Sequence, residues 1–177
     1  GEEHRPTSVR WSDTRIQGTN INQLNTFYEA SMPSRGVTSG FIDYNVDFGS
    51  IQKLVSRDID LVVLHEDKTC KVLVDKNIAT EMGGGHDLVL TPSVLSDEQA
   101  YKGDYGVGLN PESVVNASNT IYFSDLRRGV VMKLGGDGFT GLSPKYMHSY
   151  FTKKSVDLMK LGGTISVYGV FDKEFME

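Results

Sequence analysis

Residues 121–128 read IYFSDLRR, and residues 9–15 read VRWSDTR. Both close an apolar segment with aromatic-Ser-Asp-x-Arg: Trp11-Ser12-Asp13 with Arg15, and Phe123-Ser124-Asp125 with Arg127. A catalytic site needs its parts once, whereas a repeated architectural unit needs them again. Two further stretches follow the same plan more loosely. Residues 60–76 run DLVVLHEDKTCKVLVDK, with an acidic turn at Glu66-Asp67-Lys68, and residues 164–177 run TISVYGVFDKEFME, with a turn at Asp172-Lys173. The turns recur at roughly 50 to 60 residues, the size of one four-stranded propeller blade or a comparable β-meander.

The local chemistry supports strands joined by turns. Short runs of β-branched and aromatic residues favour a pleated, half-buried strand. Asp and Ser at the end of such a run offer oxygens to nearby backbone N–H groups and so start turns. Gly129, directly after Arg127-Arg128, supplies the positive φ that a tight hairpin requires. Asp13, Asp67, Asp125, Arg127, Arg128, Gly129 and Asp172 are therefore expected to shape turns, with the arginines solvated or bonded to turn carboxylates.

Bulk composition excludes several classes. The chain has 177 residues, 38% apolar and 10% aromatic, enough for a single domain that buries roughly 70% of its unfolded surface. Eighteen basic against 23 acidic residues give a formal charge of −5, and no dense Lys/Arg cluster marks a nucleic-acid binder. No apolar segment approaches the length of about 18 residues that a spanning helix needs. Cys70 is the only cysteine, so neither an intrachain disulfide nor a thiolate zinc site can form; it reads as a small strand residue. The chain opens without Met and ends inside what reads as an unfinished hairpin, so it is expected to be a piece of a longer polypeptide.

Along the chain, strand text dominates and no βαβ alternation is visible. The expected class is mainly β: propeller-like four-stranded antiparallel units, with one or two short helices, inside one propeller-like domain. The approximate units are 1–20, 50–80, 112–143 and 164–177. A short helix is expected near residues 22–30, and a second begins at Ser143-Pro144, where Ser can cap and Pro is tolerated. Residues 82–111 read as a loop-rich excursion outside the regular sheets. Its apolar side chains, Leu88, Val89, Leu90, Val94, Leu95 and Tyr101, make it the candidate contact with a neighbouring subunit.

Three places invite a chemical reading, and each has a plainer account. Asp43, Asn45 and Asp47 alternate as in a calcium loop, yet Phe48 and Leu54 stand where an EF-hand needs Gly and a bidentate acid. Residues 83–87, GGGHD, put His86 behind three glycines, but no phosphate-binding pattern surrounds it, and His4, His65 and His148 have no metal-ligand spacing to it. Residues 134–143, LGGDGFTGLS, lack the Asp-box pattern, because Gly135 stands where Ser should be. No G-x-S-x-G elbow occurs. No catalytic, metal or cofactor residue is assigned, and the chain is expected not to be an enzyme.

The most distinctive block is 103–153, GDYGVGLNPESVVNASNTIYFSDLRRGVVMKLGGDGFTGLSPKYMHSYFTK. It resembles a blade motif of large structural proteins in podovirus-like tailed bacteriophages. That motif has a Gly-Asp/Glu-Tyr-Gly lead-in, Asn-Pro-Glu-Ser, an aromatic-x-Asp-x-x-Arg-Gly hairpin, Leu-Ser-x-Asp-Gly-Leu-Thr and a short helix ending near Tyr-Phe. Here they stand as Gly103-Asp104-Tyr105-Gly106, Asn110-Pro111-Glu112-Ser113, Phe123 to Gly129, Leu134 to Thr140 and Ser149-Tyr150-Phe151. Gly136 before Asp137 departs from the usual Ser-type spacing. The resemblance implies a β-propeller-like module of a tail nozzle or related ring, assembled in the host cytoplasm. Its partners would be copies of itself, other tail proteins and further parts of its own polypeptide, with DNA passing through unbound. The alternative is a carbohydrate-binding or glycan-cleaving propeller for host attachment, resting on Tyr101, Tyr105 and Tyr146 near Asp104 and Asp137. An ordinary cytosolic interaction propeller is a third option.

Overall fold

The computed structural model describes residues 3–13, 17–20, 22–28, 40–57, 60–74, 77–80, 86–89, 94–162, 165–172 and 174. The chain is mainly β. Its sheets are antiparallel, and among the described residues two α-helices occur, α1 (Ser143–Tyr146) and α2 (His148–Leu161). It divides into two compact units, Gly1–Asp47 with Val72–Glu98, and Phe48–Lys71 with Gln99–Glu177. No helix among the described residues is long and apolar enough to cross a membrane.

In the first unit, β1 (Ser8–Arg10) pairs with β2 (Phe41–Asp43), and Arg5 reaches the Asp43 carboxylate at 3.2 Å. The helix expected near 22–30 is not there among residues 22–28. Phe27 forms a single bridge with Ser12, and the Thr26 N–H donates to the Gln23 carbonyl at 2.9 Å. Asn22, Asn25 and Thr26 offer side-chain oxygens that favour such turns over a helix.

The second unit holds most of two four-stranded sheets. One has the order β3 (Ile51–Ser56), β4 (Asp60–His65), β5 (Thr69–Leu73) and β8 (Gln99–Ala100). The other is a simple meander of β9 (Val115–Ala117), β10 (Thr120–Asp125), β11 (Val130–Gly135) and β12 (Gly138–Gly141). The excursion 82–111 is not outside the sheets as expected: β8 closes the first sheet, and β7 (His86–Val89) pairs with β6 (Asn77–Thr80).

Period-two patterning explains the packing. On β10 the side chains of Ile121, Phe123 and Asp125 are buried, and on β11 those of Val130, Met132 and Leu134, while their neighbours are half-buried. These join Val55, Val62 and Leu64 of the first sheet, with Val107 and Val114, in one core cluster. Phe139 is the hub of its aromatic part, meeting Tyr101, Tyr105 and Phe123 edge-on at 5.5 to 5.9 Å between centroids.

The half-buried face of the meander, with Tyr122, Ser124 and Val131, looks the other way, toward α2 and the stretch 165–171. Ser143 does not cap its helix as expected, because its hydroxyl accepts the Val131 N–H at 2.8 Å. The β10–β11 hairpin meets α2 at Gly129, whose φ is +64° and whose added Cβ would lie 2.9 Å from the Thr152 Cα. Gly129→Ala is therefore expected to lower the unfolding free energy by about 1–3 kcal/mol in a urea titration.

Candidate functional site

The two S-D-x-R stretches do not play equivalent parts. In the second, Asp125 is fully buried at the end of β10. It accepts the Arg128 N–H at 3.1 Å and the Arg128 guanidinium at 2.8 Å, so one carboxylate shapes the turn and neutralises the cation beside it. In the first, Asp13 accepts the Tyr28 hydroxyl at 2.9 Å, and its own N–H donates to the Thr26 carbonyl. Arg15 lies outside the described residues.

Arg127 ties one sheet's turn to the other's. Its Nη1 donates to both Asp67 oxygens, at 2.7 and 2.8 Å, and its Nη2 lies 3.3 Å from Glu66. The hydrogen bond it donates to Asp67, with the charges of Asp67 and Glu66, holds the guanidinium above its ordinary value against partial burial. Glu66 in turn accepts the N–H and hydroxyl of Ser50. The pair is half-exposed, so it orients the two hairpins more than it stabilises them.

The Gly103-Asp104-Tyr105-Gly106 lead-in fits against the same Glu66–Asp67 turn. Asp104 accepts from Lys68 at 2.7 Å, and that hydrogen bond holds its carboxyl below the usual value. Gly106 presses so close that a Cβ would sit 2.2 Å from the Glu66 carbonyl oxygen. Beyond it, the N–H groups of Val107 and Gly108 donate to the carbonyls of His65 and Glu66. Asn110, buried, accepts the Val167 N–H on Oδ1 at 3.1 Å, and Ser113 donates its hydroxyl to the Asn110 carbonyl at 2.8 Å. At the β11–β12 turn, Gly135 pairs with Gly138, whose φ is +105°.

No known family model matches this sequence, and no curated protein does either. What the motif residues do must be read from their own contacts. Four of the five segments that carry the phage-blade resemblance supply a turn, a close approach or a tie within the second unit, and the fifth, Ser149-Tyr150-Phe151, lies in α2.

The remaining predicted residues fall as follows. Asp172 accepts the Glu174 N–H at 2.8 Å, a local turn bond. Leu88 and Val89 lie in β7, and Leu90 lies outside the described residues. Val94 is half-buried, and Leu95 is buried, bridging Val74.

Tyr101 belongs to a cluster that the sequence did not suggest. Arg57 donates through Nε and Nη2 to the two Asp60 oxygens at 2.7 and 2.6 Å, and Nη2 also reaches the Tyr101 hydroxyl at 2.7 Å. Arg57 and Asp60 are three residues apart, a visible signal, whereas the tyrosine arrives from 44 residues away. Lys53 was missed likewise: its Nζ donates to the Pro111 and Val114 carbonyls.

Burial pushes the Tyr101 phenol above its ordinary value of 10.0, with the Arg57 charge opposing. A raised folded value means that this group's contribution is fully present below pH 10 and is lost as pH rises through the folded value. Urea midpoints are expected to fall more steeply above pH 10 in the parent chain than in Tyr101→Phe. Parallel pH profiles would show that burial does not govern this phenol.

Proposed function

We propose that this chain is a non-enzymatic structural module of a tailed-bacteriophage virion, a propeller-like part of a tail nozzle or ring that assembles in the host cytoplasm. One observation carries the reading: the residues behind the blade resemblance hold two four-stranded antiparallel sheets together. Arg127 bonds Asp67 and Glu66 of the facing turn, and Gly106 packs on that turn while its N–H donates to Asp125 at 3.4 Å. A four-stranded meander that stacks on a second four-stranded sheet is the arrangement that blades require.

The net charge of −5 suits the wall of a DNA conduit, since like charge repels phosphate. The glycan reading needs exposed tyrosines, yet Tyr101 and Tyr105 are half-buried around Phe139.

The test is the native mass of the assembly from which the chain is purified, taken with the chain's intact mass. A multi-copy ring is expected. A free monomer of 19.6 kDa would overturn the reading, as would tight, salt-independent binding of duplex DNA.

A further inference from the structure

Residues 165–172 are extended and alternate strictly: Ile165, Val167, Gly169 and Phe171 are half-buried, and Ser166, Tyr168, Val170 and Asp172 are exposed. This is a strand's pattern without a ladder. Among the described residues, only one edge of the segment is held. The Val167 N–H donates to Asn110 Oδ1 at 3.1 Å, and the Gly169 N–H donates to the Glu112 carbonyl at 3.0 Å. Backbone groups of successive residues in an extended chain point to opposite edges. Those of residues 166, 168 and 170 therefore face away, and among the described residues nothing bonds them.

The contact that holds the inner edge is tight. A Cβ on Gly169 would lie 2.4 Å from Val115 Cγ2 and 2.5 Å from the Ser113 carbonyl oxygen. Glycine lets the segment seat there in this one position.

A groove of about 430 Å³ borders the segment, between Val167–Phe171 and the outward face of the meander, where Val115, Tyr122, Ser124 and Val131 lie. None of its lining residues is charged. The Ser124 hydroxyl on its wall is buried without a partner. Natural sheet edges are usually blunted by lysine, proline or an inward charge. From Ser166 to Val170 this edge carries none, and Tyr168 and Val170 are 73% and 88% exposed.

We propose that the outer edge of residues 166–170 accepts an extended strand of another polypeptide, uncharged and apolar at alternate positions, by β-augmentation. Main-chain pairing with Tyr168 and Val170 supplies the binding, and the uncharged groove selects against acidic or basic side chains on the strand's inward face. This inference does not rest on the virion reading, because an open, uncharged edge accepts a strand whatever the assembly.

The test titrates the 177-residue chain with the peptide Ac-Lys-Thr-Val-Thr-Val-Thr-Val-Lys-amide and follows amide signals and hydrogen exchange by NMR. The expected result is slowed exchange at the Tyr168 and Val170 amides, with shifts at Tyr122 and Val131. A version with the valines replaced by glutamate should bind at least tenfold more weakly. Val170→Lys, at an exposed position that leaves the fold intact, should weaken binding by a similar factor. Unchanged amides at millimolar peptide, equal binding of the glutamate version, or indifference to Val170→Lys would each overturn the proposal.

Discussion

Gly106→Ala is expected to destabilise the chain by about 3 kcal/mol or more, and to shift its urea midpoint accordingly. The reason is steric and confined to the backbone. A methyl at this position would stand 2.2 Å from the Glu66 carbonyl oxygen, 2.4 Å from its carbon and 2.6 Å from the Asp67 nitrogen. A flexible side chain can rotate away from a new methyl; the peptide of a hairpin turn cannot. Relief would have to come from separating the 103–108 segment from the β4–β5 turn. That movement would strip the Val107 and Gly108 hydrogen bonds to His65 and Glu66 and loosen Val107, a core residue. Gly108→Ala is the control, because Gly108 has φ +58° and nothing within 4 Å of its added Cβ. Its cost should be only that of a left-handed alanine, about 1–2 kcal/mol. Equal losses at the two positions would refute the steric account.

The pairing of Gly106 with Glu66 marks where the sequence stops being readable. The meander was legible because its evidence is local: alternation along TIYFSD and VVMKLG, and Gly129 directly after Arg127-Arg128. The three strands over 51–73 were legible for the same reason. The tie between the sheets was not, because Arg127 finds Asp67 across 60 residues, and no periodicity reports such a partner. The stretch 22–28 misled because its apolar residues are spaced as a helix would space them, while its Asn and Thr side chains decide for turns. In 82–111, glycine-rich text concealed β7 and β8, since strands of four and two residues fall below the length at which alternation shows. The expected subunit-contact role of Tyr101 rested on the apolar side chains of its loop, whereas this half-buried phenol accepts from Arg57 and packs on Phe139 within its own unit.

That same cluster yields the second large effect. Asp60→Ala should cost about 3–5 kcal/mol, because it leaves a guanidinium buried without its counter-ion. Both side chains are nearly sealed, at 8% and 6% exposure, and the pair is bidentate. Tyr101 remains as an acceptor, but a neutral hydroxyl does not replace a carboxylate. Replacing both charges, Arg57→Met with Asp60→Leu, should recover most of the loss, since an apolar pair removes the desolvation cost together with the attraction. The double-mutant cycle then gives the coupling. A separate readout keeps this from being a mere folding defect. The Asp60 charge raises the Tyr101 phenol and the Arg57 charge lowers it. Phenolate absorbance should therefore show Tyr101 ionising at lower pH in Asp60→Ala and at higher pH in Arg57→Met. A loss below about 1 kcal/mol in Asp60→Ala would place the pair among exposed ion pairs. Shifts of the same sign in the two variants would mean that packing, not charge, sets this tyrosine's environment.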